Sequence, residues 1–177
     1  MLIPQPLSFR GVTAQTTERF VRDTASVTSG TKASVAFDLL GYVYVANTVS
    51  GTGGTDWEIV SYKPNGVVRW VQIVNGAGSG ADAATGVAVD SSFNVYVCGY
   101  TVNSSSKEAL TVRRLDAAGT QILVHVQANF ANGEHINDCQ TITLASSTTA
   151  YSIISSEIRG NINDGSTDYV INIYVLN

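Results

Sequence analysis

Apolar and polar positions alternate between Ala83 and Thr101 (AATGVAVDSSFNVYVCGYT) in the pattern of a hairpin. Val87 and Val89 lead into Asp90 and a short polar turn, Val95-Tyr96-Val97 follow, and the run ends at Gly99. A period of two bounded by turn residues predicts paired strands. The same pattern occupies Ala33 to Thr48 (ASVAFDLLGYVYVANT), 52 residues upstream (87 − 35). At that offset Val35 meets Val87, Phe37 meets Val89, Asp38 meets Asp90, and Val43-Tyr44-Val45 meet Val95-Tyr96-Val97. A third copy, Gln140 to Ser155, keeps the apolar spacing but has Ala145 in place of the aspartate. An offset of 107 there lays Ile142 and Leu144 on Val35 and Phe37, and Tyr151 on Tyr44.

The outer halves repeat as well. Asp56 to Tyr62 (DWEIVSY) is echoed by Asp168 to Tyr174 (DYVINIY) and, more loosely, by Leu110 to Leu115. Lys63-Pro64-Asn65-Gly66 and Asp116-Ala117-Ala118-Gly119 are turn sequences, because proline pre-sets φ and glycine accepts a positive one. Each leads into a fourth strand, Val67–Val74 and Thr120–Gln127. Four short strands in a unit of roughly 40–50 residues are the signature of a propeller blade.

On these residues the chain resembles the bacterial β-propeller repeats, whose core runs approximately Gly-Ile-Ala-Val-Asp-x-x-Gly-Asn-Val-Tyr-Val-x-Gly. Here Trp70, Gly76, Gly78, Gly80 and Asp82 precede Gly86-Val87-Ala88-Val89-Asp90, and Asn94-Val95-Tyr96-Val97-Cys98-Gly99 follow. Phe93 replaces the glycine before Asn94, so that turn is expected to be built differently. The resemblance covers about residues 18–177 and implies an all-β propeller with three blades per chain. The expected units are 33–74, 84–127 and 139–177, the last lacking its outer strand. The resemblance implies no chemistry.

The ends of the repeat array predict how the ring closes. At an offset of 50, Arg19-Phe20-Val21 falls on Arg69-Trp70-Val71, so residues 17–24 read as an outer strand without its first three. The third repeat stops after its third strand, since Asn177 falls on Asn65 at an offset of 112. Propellers hold about 4–8 blades; three leave a gap, and two copies make six. The expected partner is therefore a second copy, in a homodimer, with 17–24 completing the other chain's last blade beside residues 168–175. Phe20, Val21, Asp168, Tyr169, Ile171 and Ile173 are the expected closure residues. A trimer would make nine blades.

Charged residues are 14% of the chain, against an average of about 25%. The net charge is −4 with no run of Lys or Arg, which argues against nucleic acid or an anionic membrane as partner. No apolar run reaches the length of a membrane span. Residues 1–16 precede every repeat and read as an extended arm, broken by Pro4 and Pro6, with Leu2, Ile3, Leu7 and Phe9 as docking anchors for a larger assembly. Met1 to Pro6 lacks the basic and apolar regions of a secretory leader. A β-rich, Ser/Thr/Gly-rich chain without a leader fits a virion or phage structural component. Cys98 aligns with Ala46 at the end of a strand and is expected to be a buried free thiol; the alternative is a bridge to Cys139 between adjacent blades.

No catalytic constellation is apparent. His125 falls in an outer strand and His135 in an expected loop, neither at a motif spacing from a nucleophile or carboxylate, and there is no G-x-S-x-G, P-loop or H-E-x-x-H. Residues 161–168 (NINDGSTD) offer oxygen ligands but lack the glutamate that closes a calcium loop, so no metal or other cofactor is expected. Asp38 and Asp90 read as turn residues that bond nearby backbone N–H groups. Trp57, Leu110 and Tyr169 share one repeated position, Tyr44, Tyr96 and Tyr151 another, and Phe20, Trp70 and Leu123 a third, as core residues do. Tyr100, just past Gly99 where a loop is expected to begin, and Asp82 are the candidate ligand-binding residues. These features favour a non-enzymatic structural or assembly module; the alternative is a glycan-binding propeller that uses inter-blade loops. An enzyme has no positive feature.

Overall fold

The computed structural model describes the backbone of residues 33–127, 135–146, 151–160 and 167–176, and the side-chain surroundings of residues 33–124. The arm at 1–16, the strand expected at 17–24 with Phe20 and Val21, and the loop 161–166 lie outside the described residues. The fold is all-β. Its described strands are β1 (Ser34–Phe37), β2 (Val43–Gly51), β3 (Gly54–Tyr62), β4 (Val68–Val74), β5 (Ala83–Val89), β6 (Val95–Val102), β7 (Glu108–Leu115), β8 (Gln121–Gln127), β9 (His135–Ser146), β10 (Tyr151–Gly160) and β11 (Thr167–Leu176). They form two antiparallel four-stranded sheets, β1-β2-β3-β4 and β5-β6-β7-β8, and a three-stranded sheet in which β10 lies between β9 and β11.

Alternation along each strand gives a sheet two different faces. Across the first sheet, Ala36, Tyr44, Ser61 and Trp70 lie side by side, as do Thr48, Trp57 and Val74. This face turns toward the second sheet. Tyr44, Ala46, Trp57, Ile59 and Val74 form one buried cluster with Ala84, Val87, Val95, Val97 and Leu115. The third sheet follows through β9, which packs against β5, β6 and β7.

The second sheet repeats the first at the predicted offset: Ala36 pairs with Tyr44, and Ala88 with Tyr96. The third does not pair Tyr151 as its alignment with Tyr44 implies. Tyr151 lies opposite Ser146 rather than Thr143. The row containing Thr143 continues through Ile154 to Ile173, so β9 and β11 keep their expected relation and β10 is displaced by three residues. Ile154 therefore occupies the register position of Tyr44. The third hairpin runs three residues farther beyond this row, with Leu144, Ala145 and Ser146 paired to Ile153, Ser152 and Tyr151, which apolar spacing alone does not reveal. His135 begins β9 instead of lying in a loop.

Candidate functional site

Among the described residues one turn recurs five times, at 38–42, 63–67, 90–94, 103–107 and 116–120. In each, the first residue's N–H bonds the carbonyl four residues on, and the fourth residue's N–H bonds back to the first residue's carbonyl. The fourth position has a positive φ in all five: Gly41, Gly66, Phe93, Ser106 and Gly119. That is the three-residue hairpin built on a type I turn and a left-handed residue. The turn at Asp90 is thus built like its counterparts, and Phe93, at φ 66°, takes the conformation that Gly41 takes at 81°.

The aspartates secure these turns. Asp90 Oδ1 accepts the backbone N–H groups of Ser92 and Asn94, each at 2.8 Å, while Oδ2 accepts Asn94 Nδ2 and, at 3.0 Å, the Tyr96 hydroxyl. Asp38 repeats the arrangement with Leu40, Tyr42 and the Tyr44 hydroxyl. The Tyr44 phenol is pushed up to about 12, first by burial and then by its bond to Asp38 and that residue's charge. Asp38 and Asp90 therefore serve the turns, as predicted.

Asp82, a candidate ligand residue, is completely buried. Its Oδ1 accepts the Val102 N–H at 2.6 Å and its Oδ2 the Gly76 N–H, while its own N–H bonds the Thr55 carbonyl at 2.7 Å. It clamps the glycine-rich link between the first two sheets to β3 and β6. Burial raises its pKa; the two backbone N–H groups oppose that, and nearby Asp56 adds to it. Burial also lowers the pKa of Arg113, against the attraction of Asp82. Tyr100 lies within β6, paired with Ala83 and Leu110, rather than at the start of a loop. It is half-buried, and its carbonyl accepts the Trp57 indole N–H at 2.9 Å. Asp82 and Tyr100 belong to the joint between two sheets. Among the described residues, no group of three His, Cys, Asp or Glu is placed to hold a metal ion.

The outward face of the first sheet has a different character. Val35, Val45, Val60 and Val71 cross it in one row, and Phe37, Val43, Tyr62 and Val68 in the next. Val35 is 50% exposed and Phe37 69%. A cavity of about 220 Å³ opens there between Val35, Val43, Val45, Tyr62, Lys63 and Gly66. Shifted by 52 or 53 residues, the same positions on the second sheet are Val87, Val89, Val95, Val97 and Leu115, which are packed against the first sheet. By register, Ile154 and Ile158 on β10 and Tyr169, Ile171 and Ile173 on β11 fall on one side of the third sheet, and Asp168 lies opposite Arg159 on β10.

Cys98 is disulfide-bonded, not the free thiol expected from its alignment with Ala46. Apolar periodicity marks such a position as buried and says nothing of what faces it.

No family model matches the chain, and no curated protein matches it.

Proposed function

We propose that this chain is a structural, non-enzymatic assembly module: half of a six-bladed β-propeller that two copies complete. One observation carries the reading. The outward apolar face of the first sheet repeats, position for position, the face through which the second sheet packs on the first. A face of that kind is built to meet a preceding sheet, and the chain supplies none before β1 among the described residues. The third sheet ends the array with the matching register positions, so the third sheet of a second copy supplies the cover. Repeating the contact by a two-fold axis closes the ring and leaves neither face open. Outer strand 17–24 of each copy then completes the last blade of the other, which protects a sheet edge.

In this role, residues 1–16 are the arm that attaches the ring to a larger protein assembly, such as a virion, with Leu2, Ile3, Leu7 and Phe9 as anchors. Sedimentation equilibrium tests the closure: a particle of twice the 18.7 kDa chain mass is expected. A stable species of one chain mass across micromolar concentrations overturns it. Deleting residues 1–12 should leave that particle intact and abolish its capture by the native assembly.

A further inference from the structure

We infer that Cys98 and Cys139 form an intrachain bridge that clamps the third sheet to the second, and that the protein performs its role where thiols do not stay reduced. Cys98 has no solvent exposure and is disulfide-bonded. It lies near the middle of β6, between Gly86 on β5 and Val112 on β7. Its neighbours Val97 and Val95 belong to the cluster shared with the first sheet. Alternation therefore turns Cys98 to the opposite face of the second sheet, away from Val97. On the first sheet the equivalent residue, Ala46, faces the following sheet and is packed there. The sheet that follows the second begins with β9, which packs against β6, and β9 carries the only other cysteine in the sequence.

The position is prepared for sulfur by its surroundings. Thr85 is an extra residue in β5, where the pairing skips from Ala84 to Gly86. The bulge places its hydroxyl 3.3 Å from the Cys98 carbonyl and 3.8 Å from the Cys98 sulfur. Cys98 itself has no solvent exposure, and a disulfide with little access exchanges slowly.

Formation of the bridge balances simply. The two thiols lose two protons and two electrons in making one S–S bond. A small-molecule disulfide such as oxidised glutathione takes them up by exchange and leaves as two thiols. The bond closes a loop across 41 residues of sequence (139 − 98) and so removes freedom from the unfolded chain. Persistent bridges belong to oxidising surroundings, which include virion surfaces and extracellular space. The inference stands whether or not the ring closes.

The test uses the full chain, refolded in a glutathione redox buffer and then unfolded in the presence of an alkylating reagent without reductant. Neither cysteine should be labelled, and the intact mass should lie about two hydrogens below that of the reduced chain. Reduction, or the double substitution Cys98→Ala with Cys139→Ala, should lower the melting midpoint by roughly 8–16 °C. Alanine is the residue that the first sheet carries at this place. Two labelled thiols in the unfolded, unreduced sample, or a covalent species of twice the chain mass on a non-reducing gel, would overturn the inference. So would a midpoint unaffected by reduction.

Discussion

The Trp57 indole N–H bonds the carbonyl of Tyr100 at 2.9 Å, so a buried side chain of the first sheet ends on the backbone of the second. Trp70 makes the matching contact farther out, donating to the Ala117 carbonyl at 3.1 Å and lying over Gly119. Two tryptophans on neighbouring strands thus fix the relative position of two sheets. Each combines a large apolar area with one bond to a backbone carbonyl.

Trp57→Ala should cost about 3–5 kcal/mol, the range for deleting a core aromatic. Trp57→Phe keeps most of the packing but removes the indole donor, at a cost of about 0.5–1.5 kcal/mol for the one hydrogen bond. Urea unfolding of the three proteins measures both steps. Equal stability of wild type and Trp57→Phe would show that the indole bond contributes nothing.

A second expectation concerns the turn at Asp90. Phe93 holds a left-handed conformation at φ 66°, which costs an L-residue roughly 1–2 kcal/mol. Glycine, the residue at the matching place in three of the five turns, has no such penalty. Phe93→Gly should therefore gain up to about 1 kcal/mol after the loss of the half-buried ring. Asp90→Ala removes the acceptor for two backbone N–H groups, Asn94 Nδ2 and the Tyr96 hydroxyl together. Its cost should exceed that of any one charge-assisted bond, about 1.5–3 kcal/mol. Thermal unfolding of the pair should move the midpoint in opposite directions.

These contrasts explain what could be read from the chain. The hairpins were legible because alternation and turn residues are local, and Asp38 and Asp90 fall at identical places in two copies. The packing role of Trp57 followed from the same recurrence. The conformation of Phe93 was not legible, since residue preference at that position points to glycine and the surrounding hydrogen bonds decide otherwise. The register of β10 was lost for a related reason. Where Ala145 replaces the aspartate, no side chain marks where the turn begins, so a hairpin three residues longer past the Thr143–Ile154 pair goes unnoticed in the apolar spacing. Asp82 looked available because it lies in a glycine-rich loop. Its burial depends on Val102 and Thr55, which are distant in sequence. The bridge at Cys98 depends on a neighbouring sheet, which spacing cannot supply.

Asp82 should also give the fold a pH dependence opposite to that of an ordinary paired carboxylate. Its folded pKa is raised above 3.8, chiefly by burial. Between the unfolded and folded values the native state holds the proton more often than the unfolded chain does. In that window this group's contribution to stability is greatest at the acid end and declines as pH rises. Asp82→Asn retains one acceptor, brings an NH₂ toward a backbone N–H, and should cost about 1–3 kcal/mol. Because asparagine does not titrate, the wild-type advantage should narrow as pH rises from 3.8 and then level off. Urea titrations at several pH values would reveal the trend; an advantage that widened with pH would show that the two N–H bonds outweigh burial.

The last expectation separates the outward face of the first sheet from the interior of the chain. Phe37 and Val35 are more exposed than their counterparts Val89 and Val87, although the positions are equivalent in the repeat. Within one chain an aspartate at Phe37 therefore meets solvent, and its effect on the unfolding of an isolated chain should stay below about 1 kcal/mol. In the closed ring the same side chain would be driven, charged, into an apolar joint between sheets. Such burial without a partner costs several kcal/mol, so Phe37→Asp should weaken association by at least about 100-fold, using 1.4 kcal/mol per factor of ten. Leu39→Asp is the control, because Leu39 lies at 89% exposure in the adjoining turn and adds the same charge without entering the joint. Sedimentation equilibrium across a dilution series should find Phe37→Asp as single chains where wild type and Leu39→Asp remain paired. Pairing unchanged by Phe37→Asp would exclude this face from the contact, and a melt showing both variants equally destabilised at high dilution would place Phe37 inside the fold of one chain.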